Sequence, residues 1–259
     1  MNSFETVDVN IEGTFAYVTL NRPAVKNAMN NQMVLDIIAA FESLKDNREI
    51  RAIVLSGAGG TFCAGGDIKE MQALQTGATD NFSGTLDKML RTINQAPQVV
   101  IAKVEGAAMG GGFGIICVVD IAIASTEAKL GLPEVQLGIV PALISPYVIE
   151  RVGLTRAREL MLTGRRFDGD TAQQYGVVHE AVVPKELEAR VQMILDEIKQ
   201  CSPQALAACK QLIFAVKDAP TEATVEYRTN LLSDLRRSED GQEGMKAFVE
   251  KRPANWVAK

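Results

Sequence analysis

The sequence predicts an α/β domain, and three observations carry that prediction. Runs of strand character, 99–104 and 120–125 among them, alternate with helix-patterned segments at about thirty-residue spacing, as expected for strands joined by helical crossovers. Two strand-like runs lead into glycine-rich turns, SGAGG followed by CAGG in one case and MGGG in the other. No fixed-period repeat is visible, so a solenoid is not indicated. With 259 residues, 47% of them hydrophobic, the chain has material for one large core, or a core plus an appendage, and disorder is not expected.

Each element follows from local pattern. Residues 14–20 (TFAYVTL) alternate and read as a strand on an antiparallel start. Residues 21–27 form a loop carrying Arg22 and Lys26. Asn30 or Asn31 can cap a helix whose apolar positions Met33, Val34, Ile37, Ile38, Phe41 and Leu44 keep helical spacing. Residues 51–56 are the next strand. The stretch 71–84 is polar and small without a period, and reads as a loop between ordered elements. Strand 99–104, helix 113–119 and strand 120–125 follow. Beyond Thr155 the chain turns helical (TRARELMLTG, then DGDTAQQYG), broken by a short strand at 177–183. Helices 184–201 and 203–216, divided at Ser202–Pro203, and helices 221–236 and 242–251 complete the chain.

Composition narrows the function classes. A net charge of −5 argues against a general polyanion binder, so no nucleic-acid partner is expected, although a local basic patch for a phosphorylated ligand remains open. Cys63, Cys117, Cys201 and Cys209 form no CxxC pair, which disfavours zinc or a disulfide framework and favours a reducing compartment. No run of about 18 apolar residues is present to span a membrane, and MNSFETVDVN lacks the basic flank and apolar core of a signal peptide. A soluble cytoplasmic protein is expected. GxGxxG, GxxxxGK and GxSxG are absent, which removes the motifs of nucleotide-fold dehydrogenases, P-loop proteins and α/β-hydrolases. His179 is the sole histidine and reads as structural, so a Ser–His–Asp triad or HExxH metal site has little to build on.

The chemistry centres on glycines and one acid. Three consecutive glycines, Gly110 to Gly112, need either a tight turn or close approach of backbone N–H groups to a ligand. A helix starting there also aims its free N–H groups and positive dipole end at whatever docks. Two separate glycine turns supply the donors of an oxyanion hole, which stabilises a developing enolate. Glu134 stands alone in the apolar run LGLPEVQLG. It is either a helix-start residue beside Pro133 or an acid/base with a raised pKa.

FCAGGDIKEM, EGAAMGGG and LGLPEVQLGIVP, in this order and spacing, resemble the enoyl-CoA hydratase/isomerase (crotonase) superfamily. NRPAVKNAM and EGMKAFVEKRPANW fit the same family, so the likeness covers essentially the whole chain. The resemblance implies a spiral of ββα units over 1–195 and a C-terminal α-helical trimerisation region over 196–259, assembling as homotrimers or homohexamers. It places the oxyanion N–H groups on Gly66 and Gly111 and the acid/base on Glu134. It assigns Ala64, Asp67, Ile68 and Lys69 to the adenine and pantetheine side through mainly backbone contacts, and brings Arg22 and Lys26 near pantetheine and phosphates. Solvated cations are the alternative for those two. Met71, Leu74, Leu86 and Met89 border the acyl chain or are ordinary helix packing. Phe248 and Lys251 resemble residues that reach the CoA of an adjacent subunit. Coenzyme A enters as part of the acyl-CoA substrate; no separate cofactor and no metal are implied.

One departure bears on the reaction. A typical enoyl-CoA hydratase carries a second glutamate two residues beyond the glycine triplet, where this chain has Gly114. VPALISPYVIERVG also replaces the usual PGAGGTQRL-like stretch and resembles the branch acting on 3-methylglutaconyl-CoA or isohexenylglutaconyl-CoA in branched-chain catabolism. Hydration of a branched glutaconyl thioester is therefore the expected activity, with Gly114 leaving room for the branch. Ser145 and Tyr147 either position the water or serve loop packing and a helix start. A single-glutamate enoyl-CoA isomerase and a non-catalytic acyl-CoA binder are the alternatives.

Overall fold

The computed structural model describes residues 4–74 and 82–257, the side chains of Met71, Ala73 and Leu74 excepted. Six strands form the main sheet in the order β1 (Val7–Glu12), β2 (Phe15–Leu20), β3 (Ala52–Gly57), β4 (Val99–Val104), β6 (Ile121–Ser125), β9 (Glu180–Val182). Only the first pair is antiparallel, in register Val7↔Leu20. The parallel pairs need long crossovers, which place helices on both faces and account for strands such as AIVL that are buried throughout. A second, three-stranded sheet consists of β5 (Ala107–Met109), β7 (Lys129–Gly131) and β8 (Arg166–Asp168).

The two sheets express the spiral. β4 leads to β5 and helix α4 (Gly111–Val118), and β6 leads to β7, a 3₁₀ turn (Pro133–Leu137) and helix α5 (Ser145–Thr163). Each unit contributes one strand to the main sheet and one to the small sheet before its helix. Against one face of the main sheet lies α7 (Leu187–Lys199), which buries Leu187, Val191, Ile194, Leu195 and Ile198 on Phe15, Val54, Ile101 and Ile123. The opposite face carries the larger core, into which α1 (Asn31–Leu44) sends all six of its anticipated apolar residues. The Asn30 side chain caps α1 by accepting from Met33 N–H at 3.0 Å, and the Glu70 carboxylate accepts from Asn31 N–H at 2.7 Å.

The C-terminal helices α8 (Pro203–Val216), α9 (Val225–Arg237) and α10 (Glu239–Glu250) attach through Leu206 of α8, which packs on the α7 side of the sheet, and through polar anchors. Buried Lys210 of α8 reaches Asp120 Oδ2 at 2.7 Å and Gln98 O at 3.1 Å. Arg51 donates to the carbonyls of Lys199 and Trp256. The boundary anticipated at 195 falls inside α7, whose Ile194, Leu195 and Ile198 pack as one stripe on the sheet.

Several anticipated bounds differ. The stretch 71–84 is not all loop. Helix α2 (Ile68–Leu74) enters it and α3 (Phe82–Asn94) begins within it, residues 75–81 lying outside the described residues. α5 opens at Ser145, ten residues before Thr155, and breaks at Gly153 (φ +74°), so its second stretch begins near the anticipated bound while the first, with Pro146 in its first turn, precedes it. The strand anticipated at 177–183 shortens to β9; Val177 and Val178 are buried in the core ahead of it. Short helix α6 (Gly169–Gln174) lies just before. Among the described residues no helix is long and apolar enough to cross a membrane.

Candidate active site

Three chain segments leave parallel pairings side by side. β5 pairs with β7 in register Met109↔Gly131, so Gly110–Gly111 and Leu132–Glu134 emerge together from adjacent strand ends. On the other side of β5, Cys63 pairs with Ala108 in parallel, and three residues on Gly66 pairs with Met29. Cys63 N–H donates to Ala107 O at 2.9 Å and Met109 N–H to Cys63 O at 3.0 Å. Met29 N–H donates to Gly65 O and Asp67 N–H to Met29 O, each at 2.8 Å. In a parallel pairing of this kind the bonds come from the flanking residues, so the N–H of Gly66 faces away from Met29.

Neither Gly66 N–H nor Gly111 N–H makes a hydrogen bond among the described residues. For Gly111 this follows from its place as the first residue of α4, whose leading N–H groups have no carbonyl below them. The turns that present the two donors require glycine. Gly65 has φ +98° and Gly110 has φ +51°, and a Cβ on Gly65 would stand 3.0 Å from Met109 O. A Cβ on Gly110 would lie 4.0 Å from Gly65 Cα and 3.0 Å from Glu134 Oε1, so both turns and the carboxylate converge on one point.

Glu134 sits in the first turn of the 3₁₀ segment that Pro133 opens. Gln136 ties this segment to the end of α5 through Thr163 O (3.3 Å) and Gly164 O (3.0 Å), and Gly138 closes it in the left-handed region. The Glu134 Oε2 atom is buried without a hydrogen-bond partner among the described residues. Burial therefore holds the carboxyl above its ordinary pKa. Its own backbone N–H offsets part of that rise, but a half-buried carboxyl with one oxygen unpartnered among the described residues is suited to taking up and returning a proton rather than to structural ion pairing.

Gly114 is buried, and the space its side chain would need is filled. A Cβ there would stand 2.2 Å from Ile144 Cγ2 and 2.9 Å from Ile144 Cβ. The expectation that Gly114 leaves room for an acyl branch is corrected accordingly, since Ile144 occupies that volume. Ser145 Oγ donates to Ala142 O at 2.8 Å, which commits its proton to the turn before α5. Tyr147 packs partly buried on the core, and desolvation, then Asp87, raise its hydroxyl pKa; it faces α3.

The residues anticipated for CoA are distributed as follows. Arg22 pairs with Asp67 at 3.0 Å and also donates to Ala28 O, so its charge is engaged within the chain. Lys26 is exposed at φ 54°, and its carbonyl accepts from Ala64 N–H at 3.0 Å, joining that loop to the first glycine segment. Ile68 (63% exposed) and Lys69 project outward from the start of α2. The expectations for the Met71 and Leu74 side chains lie outside the described residues, while Leu86 and Met89 are buried in the core. Phe248 is 85% exposed on α10, and Lys251 caps that helix in the left-handed region. His179 Nδ1 accepts from Ala122 N–H at 3.0 Å, a backbone splint between β6 and the residue preceding β9. Among the described residues no three His, Cys, Asp or Glu side chains gather as a metal site would require.

Two residues of NRPAVKNAM received no role from sequence. Asn27, fully buried with φ 54°, accepts from Arg22 N–H and donates to the carbonyls of Ala58 and Thr61, stapling the loop to the first glycine turn. Met29 pairs with Gly66, as described. A non-glycine left-handed position leaves no local signal beyond the asparagine itself.

With that geometry in place, the relatives are informative. A profile of the enoyl-CoA hydratase/isomerase family matches residues 10–259. A protein of Rhizobium meliloti called a probable enoyl-CoA hydratase is 34% identical over 257 residues, covering 98% of each chain. A short-chain-enoyl-CoA hydratase of Clostridium acetobutylicum is 33% identical, covering 93% of each. The solved structure of Pseudomonas aeruginosa AtuE superposes with a TM-score of 0.95 at 40% identity, over 98% of this chain and all of that one. The chain belongs to the enoyl-CoA hydratase/isomerase family.

Proposed function

We propose that the protein adds water across the C2–C3 double bond of a 2-enoyl-CoA. The observation that carries this reading is the half-buried Glu134 carboxyl at the meeting point of two glycine turns, where, among the described residues, Oε2 and the N–H groups of Gly66 and Gly111 have no partner. The thioester oxygen accepts from Gly66 and Gly111 N–H. As the water oxygen bonds to C3, Glu134 takes one water proton and the C2–C3 electron pair moves onto the carbonyl as an enolate. Glu134 then returns that proton to C2 and is a carboxylate again. Each aligned donor is worth about 3 kcal/mol at the transition state. The hydratase names of the Rhizobium and Clostridium relatives support the reaction type.

The substrate we favour is a branched glutaconyl-CoA. A β-substituent makes addition at C3 more carbocation-like, so one carboxylate suffices where a typical hydratase uses two. The chain has no acid at position 114 and carries ISPY where others carry a glycine-rich stretch. CoA lies along Ala64, Asp67, Ile68 and Lys69, with Arg22 and Lys26 alongside, and Phe248 and Lys251 serve the site of a neighbouring copy in a homotrimer or homohexamer. The second reading is double-bond isomerisation, which a single carboxylate such as Glu134 performs by moving one proton between C2 and C4. Enoyl-CoA absorbance tests these readings. Hydration of 3-methylglutaconyl-CoA should show kcat/KM at least about tenfold above crotonyl-CoA, roughly one extra contact. A better rate with crotonyl-CoA ends the glutaconyl reading. Faster migration of a 3-enoyl double bond favours the isomerase, and binding without turnover marks a non-catalytic acyl-CoA binder.

A further inference from the structure

We infer that Met29 is the positioning residue that holds the two oxyanion donors in one frame, an inference that rests on the assignment of Gly66 and Gly111 proposed above. One residue touches both. Its main chain brackets Gly66 through two 2.8 Å bonds, Met29 N–H to Gly65 O and Asp67 N–H to Met29 O. Its side chain runs to the other donor. A Cβ built on Gly111 would meet Met29 Cε at 2.3 Å and Sδ at 4.0 Å, so the methyl rests against the bare α-carbon of Gly111. Met29 is 1% exposed and belongs to the larger core.

The surroundings fix Met29 itself. Asn30, the next residue, caps α1 through Met33 N–H, and Glu70 Oε2 accepts from Asn31 N–H at 2.7 Å. Asn27, two residues before, is fully buried and tied to Ala58 and Thr61. The backbone at 29 is thereby clamped from both directions, and the thioether carries that position across to Gly111. The two glycines belong to different turns, and each lacks a side chain with which to fix itself; Met29 supplies the missing contact. An unbranched thioether fits such a narrow gap, where a β-branched chain falls short of the far glycine.

The test reads the geometry of the hole directly. Butanoyl-CoA carrying ¹³C at the thioester carbon cannot be hydrated, and its carbonyl stretch shifts down when two donors polarise it. Met29→Ala should lose a large part of that downshift. With substrate, it should lower kcat by about tenfold to a hundredfold, as for a small misplacement of catalytic groups, while KM stays within about twofold. Met29→Leu, which refills the gap, should restore both. Met29→Val removes less volume and carries the same test if Met29→Ala does not fold. A wild-type complex with no downshift overturns the proposed function together with this inference. A wild-type downshift that survives in folded Met29→Ala or Met29→Val, with kcat unchanged, overturns the inference alone. Loss of kcat and downshift that Met29→Leu does not restore also overturns it, because the effect then does not come from filling the gap.

Discussion

Glu134 is where burial and chemistry conflict most openly. Desolvation raises its pKa, so the native chain binds a proton at pH values where the unfolded chain has released it. Stability therefore falls as pH rises from the ordinary glutamate value through the raised one, and the carboxylate that serves as base destabilises the fold above that window. Glu134→Gln removes the conflict. It should lower kcat by at least about a hundredfold with CoA affinity little changed. Its denaturation midpoint should exceed wild type at neutral pH, the difference fading below about pH 4. The wild-type kcat/KM profile should lose activity on the acid side at a pH above the ordinary glutamate value, since only the carboxylate accepts the proton. Near wild-type turnover in the glutamine variant would remove Glu134 from the reaction, and an unchanged midpoint at neutral pH would contradict the burial argument.

At the level of elements, the closeness of α4 and α5 depends on a glycine meeting a branched side chain. Gly114 of α4 has no Cβ because Ile144, at the start of α5, stands where it would go. Gly114→Ala should overpack that contact and destabilise the fold by about 1–3 kcal/mol. Ile144→Ala alone should cost about 2–5 kcal/mol as a cavity. The double variant should be more stable than the sum of the two, by the roughly 0.5–3 kcal/mol typical of residues in contact. Denaturant titration of the four proteins measures this, and strict additivity would mean that the helices separate without consequence. The same pair shows what sequence could convey. α1 and α8 were legible to within a residue because caps and apolar spacing are local: Asn30 and Ser202 begin them, and α1 buries all six anticipated positions. The glycine turns and the lone acid, which the fold brings together, stand out in the sequence because each breaks an expectation of its own segment. β5, β7 and β8 were not, since three residues hold no period and exist only through pairing with partners far along the chain. Ile144 filling the space beside Gly114, and Met29 against Gly111, are likewise products of segments that meet only in the fold.

The whole molecule leaves its C-terminal helices poorly covered by the rest of the chain. Met245, Phe248 and Val249 of α10, at i, i+3, i+4 spacing, are 47%, 85% and 78% exposed, and Val225, Tyr227 and Leu232 of α9 are 51%, 40% and 51% exposed. Covering a Phe, Met or Val side chain is worth about 1.5–3 kcal/mol, so a stripe of this kind on every subunit favours a closed assembly of copies of the chain over a solvated face. Under the proposed assembly, sedimentation equilibrium should give three or six times the mass of the chain. Replacing Phe248 and Val249 together by Asp should shift the distribution toward monomer with the fold retained, because neither side chain belongs to the core. Activity separates packing from participation. If Phe248 and Lys251 serve the CoA of a neighbouring copy, the dissociated variant should show a raised KM for the acyl-CoA. The proton chemistry at Glu134, which stands in the 3₁₀ turn before α5 and in none of these helices, should persist at saturating substrate. Wild-type chain that stays monomeric at micromolar concentration would remove the assembly and, with it, the assignment of Phe248 and Lys251 to a neighbouring site. Dissociation with an unchanged KM would keep the assembly and withdraw those two residues from substrate binding.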